Sequence, residues 1–197
     1  MFQLNALIVT ALLTAGAVGS AFAGGTGSLI NPDTYDPNSV GFGNAAAPPV
    51  TITFSEFADG STITSEYVPK GIDFSSQPVF IADDIDNPTS PVLSGQPKFT
   101  GPITGCFIHP TTLQPGIRRQ FSLDVGYFNN LDSTQISWSD LDGNLLGSTT
   151  NTVLGIQHFT IKVPLGTRGI HCWTVSTVGE EVAGFAIDNV SFRGFLR

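Results

Sequence analysis

The sequence predicts an all-β protein, a β-sandwich of jelly-roll type, and three observations carry that expectation. Apolar residues alternate with polar ones at a period of two, most clearly at Phe121, Leu123, Val125 and Tyr127 against Ser122, Asp124 and Gly126. Gly, Pro, Ser, Thr and Phe are plentiful while Lys and Glu are scarce, which favours strands and turns over helices. Turn signals recur every eight to twelve residues or so between short strands, and no amphipathic helical stretch lies between residues 50 and 197.

Residues 1–23 read as a secretory signal peptide. An apolar run, Ala6 to Leu13, leads to small residues and an Ala21-Phe22-Ala23 cleavage pattern. Residues 24–49 are rich in Gly, Pro, Asn and Ala and read as a flexible linker or N-terminal arm. The sandwich domain is then 50–197. No segment after residue 23 is long and apolar enough to span a membrane. The expected location is extracellular.

The domain opens at Val50, where Ile52 and Phe54 alternate with Thr51, Thr53 and Ser55 and place Glu56 on their side by parity. The stretch Gly71-Ile72-Asp73-Phe74 is a further short strand. Ile81 to Pro88 holds three Asp within four residues, which lacks the spacing of a helix-loop-helix calcium site and reads as a solvated loop. Asp140-Leu141-Asp142-Gly143-Asn144 lies between apolar runs and predicts a hairpin turn. In the closing strand, Phe185 and Ile187 share one parity and Val190 and Phe192 the other, so a bulge is expected at Asp188-Asn189.

Sixteen acidic against eight basic side chains give a net charge of −8, which argues against a nucleic-acid backbone as partner. The two cysteines, Cys106 and Cys172, are 66 positions apart. In an exported chain one pair most simply forms one disulfide, two buried thiols being the alternative. No motif for nucleophilic catalysis or phosphate binding is present. Glu66, Glu180 and Glu181 are available to a polysaccharide hydrolase or lyase, although sequence places no two of them across a cleft. His158 reads as a surface histidine.

Ligand-binding candidates are the aromatics that could stack a sugar ring, Trp173 and Tyr67. Trp138 and Tyr127 fall on the apolar parity of their strands and read as core. If Cys172 points inward to its bridge, Trp173 points outward and is the leading platform.

The runs Thr53-Phe54-Ser55-Glu56-Phe57-Ala58-Asp59-Gly60-Ser61, Tyr67 with Gly71-Ile72-Asp73-Phe74, Asp140 to Gly147, and Phe185 to Phe192 resemble the secreted jelly-roll domain of PEP-CTERM-type and related extracellular bacterial proteins. The resemblance covers residues 50 to 192. It implies a galactose-binding-like fold, shared with many carbohydrate-binding modules. It also implies a structural calcium ion held by an opening-strand acid and a closing-strand Asp, here Glu56 and Asp188. In that fold the first and last strands lie near one another, so the two carboxylates could converge. The chain carries no Pro-Glu-Pro sorting motif before Phe195-Leu196-Arg197, so free secretion is expected. The functional expectation is a non-catalytic module that binds polysaccharide or glycoconjugate. The alternative is a structural matrix or adhesion protein with protein partners, ahead of a hydrolase or lyase.

Overall fold

A computed structural model describes residues 48–83 and 91–193. The expected signal peptide, nearly all of the expected arm and most of the Asp-rich loop lie outside the described residues. Twelve strands form two antiparallel sheets: β1 (Val50–Ile52), β2 (Thr62–Ile63), β3 (Ile72–Asp73), β4 (Val79–Ala82), β5 (Val92–Gly95), β6 (Ile103–Phe107), β7 (Gln120–Phe128), β8 (Thr134–Ser139), β9 (Leu145–Thr150), β10 (Gly155–Lys162), β11 (Cys172–Thr177) and β12 (Ala186–Phe192). The larger sheet has seven strands in the order β10-β7-β12-β5-β4-β2, with β1 also paired to β12. The smaller has the order β3-β6-β11-β8-β9. From β6 to β12 the chain crosses between the sheets at every connection but the β8–β9 hairpin, which is the path of a jelly roll.

The alternation read from sequence decides which side chains meet between the sheets. Phe121, Leu123 and Val125 of β7, Phe159 and Ile161 of β10 and Ile103 and Phe107 of β6 are buried in one core. The β8–β9 hairpin turns as expected. Asp140 Oδ1 accepts the N–H groups of Asp142 (3.0 Å) and Asn144 (2.9 Å), and Gly143 takes φ 79°. Asp140 is itself buried and also accepts Arg168 Nη1 at 2.8 Å. Hydrogen bonds from Asn144, then from Arg168 and the turn N–H groups, outweigh desolvation and hold its pKa down at about 2. An unfolded Asp titrates at about 3.9. The turn's stabilisation is therefore complete above that pH and is lost as pH falls from about 4 towards about 2. Acid-unfolding curves of Asp140→Asn are expected to lack this component.

The smaller sheet corrects one expectation. Cys172 is the Cα partner of Cys106 and the two are joined as a disulfide, as expected, with 4.1 Å between Cα atoms. The bridge does not point inward. Gly105 and Phe107 flank Cys106 and are buried, so Cys106 lies on the outer face, and so does Cys172. Trp173 therefore points into the sandwich and is 1% exposed. Its indole stacks on Phe121 at 5.6 Å between centroids and meets Phe74 edge-on at 6.1 Å. Trp173 is paired with Gly105 on one side and Trp138 on the other, and Trp138 with Gly147. A Cβ on Gly105 or Gly147 would lie 2.6 Å from Cζ2 of its tryptophan. Each indole thus lies over the glycine beside it, so two large rings fit in one row of a thin core.

Tyr127 also departs from its expected side. The parity of β7 slips at Gly126, so Phe128 joins the core and Tyr127 packs beside Ala82, Val92 and Ala186 in a second, smaller cluster. That cluster includes Phe80 and Phe99.

Candidate functional site

The outward residues of β1, β12, β7 and β10 form a polar ladder across the larger sheet. Register pairs Thr51 with Ser191, Ser191 with Ser122 and Ser122 with Thr160, giving one row of hydroxyls. Thr51 Oγ1 donates to Ser191 Oγ at 3.2 Å. The next row pairs Asp188 with Asp124 and Asp124 with His158. These side chains face away from the core because Leu123, Phe159 and Ile187 between them face into it.

The bulge expected at Asp188-Asn189 is present, between Asp188 and Ser191, and Asn189 takes φ 50°. The consequence is chemical. The Asn189 amide donates to Asp124 Oδ2 at 2.8 Å, and the Asn189 N–H to Asp188 Oδ1 at 2.7 Å. Asp124 Oδ1 lies 2.6 Å from His158 Nδ1, an exposed ring that is more than a surface histidine because it joins this network. Two carboxylates on adjacent strands are thus bridged by one carboxamide, and one of them orients an imidazole. Such a surface offers hydroxyl and imidazole donors beside the half-buried carboxylate of Asp124.

Glu56 is elsewhere. Strand β1 ends at Ile52, and Phe54 takes φ 58°, a rare backbone for a bulky residue, so the parity that placed Glu56 breaks before reaching it. Its Oε2 accepts the Tyr67 hydroxyl at 3.0 Å and its Oε1 the Lys70 ammonium. Burial alone would raise the Glu56 pKa; the bonds from Lys70 and Tyr67 outweigh it and hold the pKa below its ordinary value. Tyr67 is 1% exposed, within reach of Phe54, Phe57 and Phe74. Burial, and next the Glu56 carboxylate, push its phenol pKa up. Neither sequence-chosen platform, Trp173 or Tyr67, presents a ring to solvent, because both rings fill the core.

The Glu56 charge is matched by Lys70, and Asp188 Oδ1 accepts the Asn189 N–H. Among the described residues, the one group of three or more potential metal ligands is Cys106, His171 and Cys172, and the disulfide occupies both sulfurs.

The glutamates considered for catalysis serve loops. Glu66 accepts the Thr64 N–H. Glu181 accepts the N–H groups of Asn129 (2.8 Å) and Asn130 (3.3 Å) and the Ser133 hydroxyl (2.6 Å), tying the β7–β8 loop to the β11–β12 loop. The Glu180 carbonyl accepts the Asn130 amide.

Sequence reasoning missed Asp124, His158 and Asn189 as a cluster. The outward parity of Ser122 and Asp124 was readable. The adjacency of β7 to both β10 and β12 was not, since it depends on long-range pairing.

The chain matches no protein-family model, and no curated protein matches it. Among solved structures it is similar to one described as "BiXyn10A CBM1 APO", a carbohydrate-binding module, at 14% identity, with 76% of this chain and 98% of that one covered and a TM-score of 0.30.

Proposed function

We propose that this protein is a non-catalytic glycan-binding module whose ligand face is the outer surface of β1, β12, β7 and β10. The observation that carries the reading is the ladder of Thr51, Ser191, Ser122 and Thr160 beside Asp124, Asp188, Asn189 and His158. Closely spaced donors and acceptors on a rigid sheet match the hydroxyl pattern of a sugar chain. With Trp173 and Tyr67 buried, recognition rests on hydrogen bonds and not on an exposed stacking ring. The disulfide is of the kind an oxidising compartment maintains, which supports secretion. No helix among the described residues is long and apolar enough to cross a membrane. Calorimetric titration with a panel of neutral and acidic oligosaccharides tests the reading. Saturable binding that Asp124→Asn weakens is expected; no saturable binding to any of them overturns it.

A structural calcium ion belongs to the proposal, with Glu56 and Asp188 as the acids that would hold it. Chelation is then expected to lower the melting temperature, since a metal bound to the folded state alone stabilises it by mass action. Asp188→Asn is expected to abolish that sensitivity. An unchanged melting curve in chelator removes calcium from the reading.

A matrix or adhesion role with protein partners is the second reading, favoured by one observation. Leu131, Leu154, Val178 and Val182 are 56%, 59%, 53% and 79% exposed, on loops at the end where β7, β9 and β11 finish. Glu181 and Asn151 hold these loops together, so the aliphatic tips form a fixed rim. Sedimentation of Leu154→Glu and Val182→Glu against the parent protein would expose self-association through this rim.

A further inference from the structure

We infer that the polar face ends in a subsite for the carboxylate of an acidic sugar, so that the glycan is a uronic-acid-containing one. This rests on the glycan-binding reading and names its ligand class. The observation is a segregation of charge in an acidic protein. Lys70 and Arg168 are paired with carboxylates, Lys98 lies over the ring of Phe99 in the β5–β6 loop, and Arg118 is buried between the rings of Phe107 and Phe192, at 5.2 and 5.1 Å from their centroids. Arg119, Lys162 and Arg193 have no carboxylate partner among the described residues, and all three lie at the end where β7 begins and β10 and β12 finish.

A cleft of 420 Å³ opens there, lined by Arg119, Gln120, Ser122, Ser191 and Arg193 among others. That volume lies within the roughly 300–1,000 Å³ of small-molecule sites. Lys162 is the Cα partner of Gln120 and stands on the same outward parity. The cleft has organised donors. Arg119 Nη1 is held by the carbonyl oxygens of Pro164 (2.6 Å) and Thr167 (3.3 Å), and its other donors make no hydrogen bond among the described residues. Ser191 Oγ accepts Thr51, which leaves its O–H to donate outward. A guanidinium presents two parallel N–H groups that match a planar carboxylate. Gln120, Ser122 and Ser191 beside it match ring hydroxyls, and the chain would continue along the hydroxyl row. A nucleic acid is a poor occupant, because three cations on a protein of net charge −8 release too few counterions to hold a phosphate backbone.

The test is titration with an oligouronide, with the same oligomer after reduction of its carboxyls to alcohols, and with a sulfated oligosaccharide. The oligouronide is expected to bind most tightly, with affinity falling as salt rises. Arg193→Gln, an exposed change that leaves the core intact, is expected to weaken it roughly ten- to a hundredfold, as loss of a charge-assisted hydrogen bond does. Arg119→Gln is expected to act in the same direction, and neither variant should alter binding of the carboxyl-reduced oligomer. Equal affinity for the reduced and the acidic oligomer, or an Arg193→Gln variant that binds the uronide unchanged, overturns the subsite while leaving the glycan reading in place. Tighter binding of the sulfated sugar overturns the carboxylate assignment. No binding to any of the three, or to neutral glycans, overturns both.

Discussion

Replacing Trp173 by Ala is expected to cost about 3–5 kcal/mol, the range for truncating a buried large aromatic, where the hole left behind adds to the lost transfer energy. The ring is 1% exposed, stacked on Phe121 and edge-on to Phe74, and it bridges the two sheets. Domains of this kind are stable by about 5–15 kcal/mol in all, so the variant should unfold at much lower urea and melt roughly 10 °C earlier. The neighbour makes the expectation sharper. Gly105→Ala puts a Cβ 2.6 Å from the indole Cζ2 and should destabilise the parent protein, yet it should cost less once Trp173 is Ala, when the contact left is with the movable end of Ile72 at 2.9 Å. A double-mutant cycle by urea denaturation measures that coupling, with about 0.5–3 kcal/mol expected for residues in contact. Independent costs for the two changes would show that the glycine does not make room for the ring.

Removing the disulfide with Cys106→Ser and Cys172→Ser together is expected to cost about 4 kcal/mol in the chain-entropy model for a closed loop of this length. The cysteines are already Cα partners in a hydrogen-bonded ladder, and the bridge lies outside the core. The folded state therefore loses little contact, and the effect falls on the unfolded chain, which expands. The circular dichroism spectrum should be preserved, the midpoint should fall, and the denaturant slope should rise as unfolding exposes more surface. A variant with lost sheet signal would mean that the bridge organises the native ladder, and an unchanged midpoint would mean that strain cancels the entropy.

The first of these results concerns a residue on which sequence and structure part. Strand alternation was legible wherever one face was apolar, as at Phe121, Leu123 and Val125 or at Phe159 and Ile161. The hairpin at Asp140–Asn144 was legible because turn chemistry is local. So was the bulge at Asp188-Asn189, because two parities collide within five residues. Trp173 was placed on the wrong side for one reason, the assumption that a cystine seeks the core. A bridge is covalently secured and needs no burial, so the indole took the inside. Glu56 failed differently: parity has meaning only while the strand lasts, and Phe54 leaves it with φ 58°. Tyr67 lies outside any strand, and its burial depends on the rings of Phe54, Phe57 and Phe74 meeting around it. The polar ladder was half legible, since the outward residues of each strand could be read but their neighbours could not.

Strand β12 is the latest in chain order, yet it lies in the interior of the larger sheet, paired with β7 on one side and with β5 and β1 on the other. Until it arrives, β7 and β5 present open edges to one another, and neither can complete its ladder. A chain emerging from the ribosome therefore cannot close its larger sheet by stages. It must wait for β12 and then assemble through long-range pairings, which form slowly. A protein built this way reaches its native state late, once the pairings of β12 with β7, β5 and β1 have formed.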